Sequence, residues 1–212
     1  MRLRILAGLA DMSGFTTADL RQAAARIALQ AEAAAAELNA ADGQLGDGDL
    51  GITVSKGWAE IAAAAATMPD DIGMAFLDCA KAFQKVSSSS YGTLTATAFM
   101  ALAKACKGRT VVPYAEVSEL VAVARDAMMA RGKGSLGDKT VLDALDAVAM
   151  ATFGQEDPQT LLKQADIAIN EALLTFKGRE NKLGRARMFG DKSRGLDDPG
   201  MLALRRVLDG LL

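Results

Sequence analysis

The chain has 212 residues, half of them hydrophobic, a formal net charge of −2 and no histidine. That length predicts one domain with a sizeable core over residues 1–212, and the balanced charge argues against nucleic acid or a membrane as a partner. Without histidine, a Ser-His-Asp triad, His-ligated zinc and a histidine general base are excluded.

The first residues, "MRLRILAGLADM", contain a short apolar run and no cleavage pattern, so we expect no secretory signal. No segment of the sequence approaches the length and apolarity of a membrane span. Cys79 and Cys106 each lie inside an apolar helical pattern and are expected to be buried, reduced thiols. A cytoplasmic location is therefore expected.

Apolar residues at three- and four-residue steps predict eight helices. The first follows Thr17, carries Leu20, Ala24 and Ile27 on one face and ends at an aspartate-rich segment. The other seven are predicted over residues 51–66, 70–86, 92–107, 114–131, 138–151, 158–177 and 199–211. Short connections favour antiparallel neighbours, so the fold class is an all-α bundle, and loops at one end of it form the predicted site.

Acidic N-caps support several helix starts. Asp138, Asp157 and Asp198 each precede a helical pattern, and proline follows the last two. The segment "RTVVPY" is faintly typical of a strand, but Pro113 interrupts it.

The segment "ADGQLGDGDLGITVSKG" places Asp42, Asp47 and Asp49 among glycines that allow their carboxylates to face a common centre. Hard oxygen ligands suit magnesium, which keeps some waters and bridges to phosphates. The alternative is a solvated acidic turn that caps the next helix. The segment does not match an EF-hand, which needs a glutamate at position 12, or a P-loop, which needs Lys-Ser/Thr after the last glycine.

Two further polar segments interrupt the helical pattern. "SSSSYG", residues 87–92, fits either a phosphate site at a helix N-terminus or an ordinary serine cap. "GRARMFGDKSRGLDDPG" is a long glycine-rich loop in which an arginine can bind a phosphate. In "GDKT", Asp138 is expected to be a helix cap and Lys139 a surface charge.

Taken together, "LNAADGQLGDGDLG", "GDKTVLDAL" and "GRARMFGDKSRGLDDPG" resemble the L subunit of dihydroxyacetone kinase, in this order and over nearly the whole chain. The resemblance implies a barrel of eight antiparallel helices with ADP or ATP bound at one end. It also implies that Asp42, Asp47 and Asp49 hold two Mg²⁺ ions and that Arg185 acts in catalysis. The nucleotide-contacting residues implied by the resemblance are Leu50, Gly51, Ile52, Thr53, Ser89, Ser90, Tyr91, Gly132, Val141, Arg185, Asp198, Pro199 and Gly200.

The resemblance further implies a kinase that phosphorylates the terminal hydroxyl of a small ketose. A separate K subunit holds that ketose through a histidine, and the donor is either ATP or a bound ADP recharged by an M subunit from phosphoenolpyruvate. Two departures stand out, since Leu50 replaces the family's histidine and "SSSSYGTL" replaces its glycine-rich loop. The alternative function is a non-catalytic nucleotide-binding or interaction module on the same scaffold.

Overall fold

The computed structural model describes residues 14–86 and 89–212, and it is helical over most of this length. The expectation of no secretory signal concerns residues 1–12, which lie outside these ranges, as do Ser87 and Ser88. The α-helices of the described residues are α1 (Thr17–Ala33), α2 (Ala35–Leu45), α3 (Leu50–Ala64), α4 (Ile72–Val86), α5 (Ser90–Ala105), α6 (Val117–Gly132), α7 (Val141–Thr152), α8 (Pro158–Lys177) and α9 (Pro199–Asp209).

Two short strands complete the regular structure of the described residues. β1 (Gly14–Thr16) pairs antiparallel with β2 (Val111–Pro113), and Gly14 lies opposite Pro113. The strand that "RTVVPY" suggested faintly therefore forms, with its proline at the end where a lost N–H costs least. The all-α class is confirmed, because the strands are only three residues each.

All eight predicted helices begin within three residues of their predicted starts. The prediction of one continuous first helix is wrong, because the helix is interrupted at Ala34 and forms α1 and α2. Nothing local in the alanine-rich sequence marks this break. The break lies beside a close contact between α3 and α2, since a Cβ on Gly51 would stand 2.0 Å from the carbonyl oxygen of Ala35.

The predicted proline-flanked caps are confirmed. Asp157 accepts a hydrogen bond from the Thr160 amide at 2.7 Å at the start of α8, and Asp198 accepts one from the Met201 amide at the start of α9. These carboxylates satisfy amides that lack partners within the first turn of a helix.

The predicted cap at Asp138 is wrong, because α7 begins at Val141 with Thr140 as its N-cap. The Thr140 amide donates to Asp143, which completes a capping box at 2.8 Å. Asp138 instead accepts a hydrogen bond from the Ser135 amide inside the preceding turn.

The helices form a closed ring. From α3 to α9 each helix packs against the next one, and α9 returns to pack against α1 and α2, which also contact α3. An antiparallel ring places every second connection at the same end. The connections α2–α3, α4–α5, α6–α7 and α8–α9 share one end, which we call the site end. In this order they carry the aspartate-rich segment, part of "SSSSYG", "GDKT" and the arginine-bearing loop.

The interior is filled with small and aliphatic side chains, with aromatic residues in one region. Trp58 packs edge-on against Phe83 and Phe99 at centroid distances of 6.5 and 5.9 Å. Cys79 and Cys106 are buried free thiols, as expected, and burial raises the pKa of Cys79 to about 12. Within the described ranges, no helix combines the length and apolarity needed to cross a bilayer.

Candidate functional site

The three aspartates meet at the site end. Asp42 lies in the last turns of α2, and Asp47 and Asp49 lie in the connection to α3. One carboxylate oxygen of each residue lies within 4.8 Å of the others. The connection doubles back because Gly48 has a φ of 77°, and Asp42 Oδ2 accepts the amides of Gly48 and Asp49 at 2.8 and 3.0 Å. We call Asp42, Asp47 and Asp49 the aspartate cluster.

The aspartate cluster is not explained as a helix cap. Asp49 occupies the N-cap position of α3, yet its side chain accepts no capping hydrogen bond from the described residues. Asp47 and Asp49 are exposed, and Asp42 is half-buried. Three carboxylates held this close repel one another, so the arrangement favours a positive partner.

Arg185 supplies one positive partner from a distant part of the sequence. It lies in the connection between α8 and α9, and its guanidinium forms an ion pair with Asp47. Arg185 remains largely exposed, with 65 % of its side-chain surface accessible. The fold thus brings the arginine-rich loop to the aspartate cluster, which the sequence showed only as separate motifs.

The first turn of α3 follows directly on the aspartate cluster. Its N-terminal amides present the positive end of the helix dipole to the carboxylates. Leu50 and Gly51 are buried, whereas Ile52 is exposed to 46 %. Leu50 packs in an apolar cluster with Leu38 and Val54, so its side chain contributes to the core.

The serine segment reaches the same site. Ser89 is the N-cap of α5 and accepts a hydrogen bond from the Gly92 amide at 3.1 Å, as the cap interpretation expects. Its hydroxyl oxygen also accepts a hydrogen bond from Thr53 Oγ1 at 3.4 Å, which joins the starts of α3 and α5. Ser90 is exposed at the first position of α5.

Tyr91 connects this region to α7 and α9. Its ring packs against the apolar cluster that contains Val141, and burial together with the nearby Asp198 carboxylate raises its pKa. Gly200 lies close to Val141, since a Cβ on Gly200 would stand 3.5 Å from Val141 Cβ. Pro199 is buried beside them at the first position of α9. These four residues therefore lie together at the site end with Asp198.

Asp198 is a buried carboxylate with well-defined partners. Its Oδ1 accepts the Met201 amide at 2.8 Å, and its Oδ2 accepts Asn181 Nδ2 at 2.7 Å. Burial raises its pKa to about 7, against the opposing effect of these hydrogen bonds and of Lys139. Asp198 therefore changes charge near neutral pH.

Gly132, the last residue of α6, packs against Leu94 of α5, where an added Cβ would stand 3.2 Å from a Leu94 methyl. A separate groove of about 750 Å³ runs between α7 and α8 and is lined by Ala147, Met150 and Ala172 among others. Among the described residues, those predicted for the site do not line that groove.

The sequence interpretation missed a buried polar group beside the site. Lys139, expected to be a surface charge, is fully buried, and its neighbours Asn181 and Ser193 are buried as well. Burial lowers the pKa of Lys139, whereas Asp198 and Asp197 oppose that shift. A lysine between an aspartate and a threonine gives no local signal of burial, because its hydrogen-bond acceptors lie at the end of α8 and in the connection after it.

These observations define a class: an all-α ring of helices that gathers an acidic glycine-rich turn, a serine cap and an arginine-bearing loop at one end. Residues 44–212 match the DAK2 domain, and the chain belongs to this family.

Curated relatives agree with that membership. The chain is 27 % identical over 180 residues to the ADP-binding subunit of the PEP-dependent dihydroxyacetone kinase of Escherichia coli K12, covering 82 % of this chain and 85 % of that one. It is 28 % identical over 178 residues to the ADP-binding subunit of the PTS-dependent dihydroxyacetone kinase of Lactococcus lactis, covering 84 % and 86 %. It is also 29 % identical to the L-erythrulose kinase of Pectobacterium atrosepticum, covering 82 % of this chain and 31 % of that longer protein.

The fold matches a solved structure. The dihydroxyacetone kinase of C. freundii in complex with AMP-PNP and Mg²⁺ superposes with a TM-score of 0.72 at 23 % identity. The match covers 92 % of this chain and 33 % of that one, so this chain spans about a third of the larger kinase.

Proposed function

We propose that the chain is the nucleotide-binding subunit of a dihydroxyacetone-type kinase. It would present a nucleotide phosphate to the terminal hydroxyl of a small ketose held by a separate K-type subunit. The observation that carries this proposal is the meeting of the aspartate cluster with Arg185 at the site end. Membership of the DAK2 family and similarity to ADP-binding kinase subunits support it.

The donor atoms of the aspartate cluster fit magnesium. All are carboxylate oxygens, they lie within 4.8 Å of one another, and two of the three side chains are exposed to an incoming ligand. Asp42, Asp47 and Asp49 would hold Mg²⁺, two ions by the family resemblance. When bound, Mg²⁺ would offset phosphate charge and orient the phosphates.

The residues around the aspartate cluster have distinct roles in this proposal. Arg185 is long, exposed and always charged, so it can turn from Asp47 to a phosphoryl group and stabilise its charge. The starts of α3 and α5, from Leu50 to Thr53 and from Ser89 to Tyr91, would line the phosphate side of the site, where the positive ends of both helix dipoles favour phosphate.

The remaining proposed contacts lie across the site end. Gly132 and Val141 would line the adenine side, and the run from Asp198 to Gly200 would make further nucleotide contacts, since Gly200 lies close to Val141. Positioning and electrostatics, without covalent chemistry by this chain, are what phosphoryl transfer requires of a protein.

Because the sequence contains no histidine, this chain cannot hold the ketose through one, which supports a separate K-type partner for that role. Two relatives are named as ADP-binding subunits of PEP- and PTS-dependent kinases, which favours a bound ADP recharged through an M subunit. The name of the L-erythrulose kinase carries no such indication, and this chain covers only 31 % of that longer protein. We propose a triose or tetrose ketose as acceptor and a cytoplasmic location for the assembly.

One observation favours a second candidate, a non-catalytic nucleotide-binding module. Leu50 is 7 % exposed and packs into the core, so the polar side chain that the family places there is missing. Phosphorylation of a ketose by the chain with a K-type subunit would exclude this candidate. Tight nucleotide binding with no transfer to any tested ketose would favour it.

The first experiment is calorimetric titration of ADP and ATP into the purified chain, with Mg²⁺ and then with EDTA. We expect binding that requires Mg²⁺, and tighter binding of ADP would indicate the coenzyme mode. A second step adds a K-type subunit with dihydroxyacetone or L-erythrulose and measures the phosphorylated ketose. No binding of either nucleotide, after checking that none co-purified, would refute the proposed function.

A further inference from the structure

Lys139 is fully buried in the connection between α6 and α7, where its φ of 61° is in the left-handed region. A lysine is rarely this buried unless acceptors surround its ammonium group. Here Nζ donates to the carbonyl oxygens of Ser193 at 2.8 Å, Arg179 at 2.9 Å and Lys177 at 3.3 Å. Its three donors thus have three main-chain acceptors.

These acceptors lie on both sides of the loop that carries Arg185. We call residues 178–198, the connection between α8 and α9, the Arg185 loop. Lys177 ends α8 and Arg179 follows it, whereas Ser193 ends the 3₁₀ segment beyond Arg185. One ammonium group therefore joins the segment that enters this loop to the segment that leaves it.

Asn181 reinforces the same junction from inside the Arg185 loop. Its Nδ2 donates to the Lys139 carbonyl at 2.9 Å and to Asp198 Oδ2 at 2.7 Å, and its amide donates to Ser193 Oγ at 3.0 Å. The start of α9 and the base of the loop are thus held by one buried hydrogen-bond network.

We propose that Lys139 is a positioning residue whose buried ammonium holds the two sides of the Arg185 loop together, so that Arg185 faces the aspartate cluster. This inference deepens the proposed function and rests on it. The part of the loop beyond the junction is largely exposed, and a long loop loses considerable conformational entropy when it is ordered. A lysine suits the junction because its compact charge can donate in three directions, whereas a guanidinium is a planar fork.

Hydrogen–deuterium exchange on the full chain directly tests whether Lys139 orders the Arg185 loop. We expect Lys139→Met to speed amide exchange in residues 183–192 by about tenfold or more, with little change in α3, α4 and α5. Lys133→Met is the matched control, because Lys133 lies in the same connection with a φ of 54° but is exposed. It should exchange like the wild type. Unchanged exchange in 183–192, or an equal increase throughout the chain, would overturn the proposal.

A double-mutant cycle of nucleotide affinity then tests whether Lys139 acts through Arg185. We expect Lys139→Met to raise the Kd for Mg·ADP by about tenfold, and to have no further effect when Arg185→Ala is already present. Independent, additive effects would show a general structural role and refute the proposal. If Lys139→Met does not fold, Lys139→Gln keeps a donor without the charge and should show the same pattern more weakly. If the wild type binds no Mg·ADP, the proposed function fails, while the exchange experiment still shows whether Lys139 orders the Arg185 loop.

Discussion

Replacing Asp47 by asparagine should change stability and metal binding in opposite directions. Two unit charges 4.8 Å apart repel by about 1 kcal/mol in water and by about 3 kcal/mol at an effective dielectric constant of 20. The lower value applies, because Asp47 is 47 % exposed and its cluster faces solvent. The variant loses two such repulsions and one exposed ion pair to Arg185, which contributes about 0–1 kcal/mol. The metal-free variant should therefore be more stable than the wild type by about 1–2 kcal/mol, a rise in Tm of about 2–8 °C.

The same change removes a charged oxygen from the proposed magnesium site. Even groups that only orient a metal ligand contribute about 10- to 100-fold to affinity, so we expect the Kd for Mg·ADP to rise by about 100-fold or more. Calorimetry measures this affinity, and thermal unfolding in EDTA and in Mg²⁺ measures the stability. Magnesium should raise the Tm of the wild type in the presence of ADP and leave that of the variant nearly unchanged.

Asp191→Asn is the matched control for that experiment. Asp191 is also an exposed aspartate paired with an arginine, Arg194, at 2.9 Å, but it lies outside the aspartate cluster. It should bind Mg·ADP like the wild type. Wild-type affinity in Asp47→Asn would refute the metal assignment, and a loss of stability in EDTA would refute the repulsion argument.

Further predictions concern three other positions. Gly51→Ala should destabilise the chain by about 1–3 kcal/mol in urea unfolding, because the new Cβ would stand 2.0 Å from the Ala35 carbonyl oxygen. Gly178→Ala, with open space at its Cβ, serves as the control, and equal stability of the two variants would contradict the packing argument. Because burial raises the pKa of Asp198 to about 7, the folded chain binds more protons there than the unfolded chain, so this group lowers stability as pH rises from about 4 to about 7. The Tm of Asp198→Asn should fall less than that of the wild type between about pH 4 and about pH 7. The same dependence of Tm on pH in both proteins would disprove the raised pKa of Asp198. Arg185→Ala should lower kcat for ketose phosphorylation by about 100-fold or more with intact folding, and an unchanged kcat would remove Arg185 from catalysis.

Helix positions were predictable because their signals are local. The Asp-Pro pairs before α8 and α9 satisfy amides within one turn, so the sequence places both starts correctly. Asp138 failed as a cap for an equally local reason, since Thr140 lies nearer to the helix and pairs with Asp143 in a capping box. The capping box is visible in the sequence as "TVLD", residues 140–143.

The aspartate cluster was also predictable, since Asp42, Asp47 and Asp49 lie within one turn of a glycine-rich segment. The break at Ala34 was not predictable, because alanine favours helix on both sides and the contact with Gly51 comes from another helix.

The sequence by itself determined the all-α class, most helix boundaries and the acidic turn, because each depends on residues a few positions apart. Only the tertiary structure decided that Arg185 reaches Asp47, that Leu50 lies in the core and that Lys139 is buried under the loop after α8. These contacts join segments distant in the chain, and their free energy depends on how the ring of helices closes.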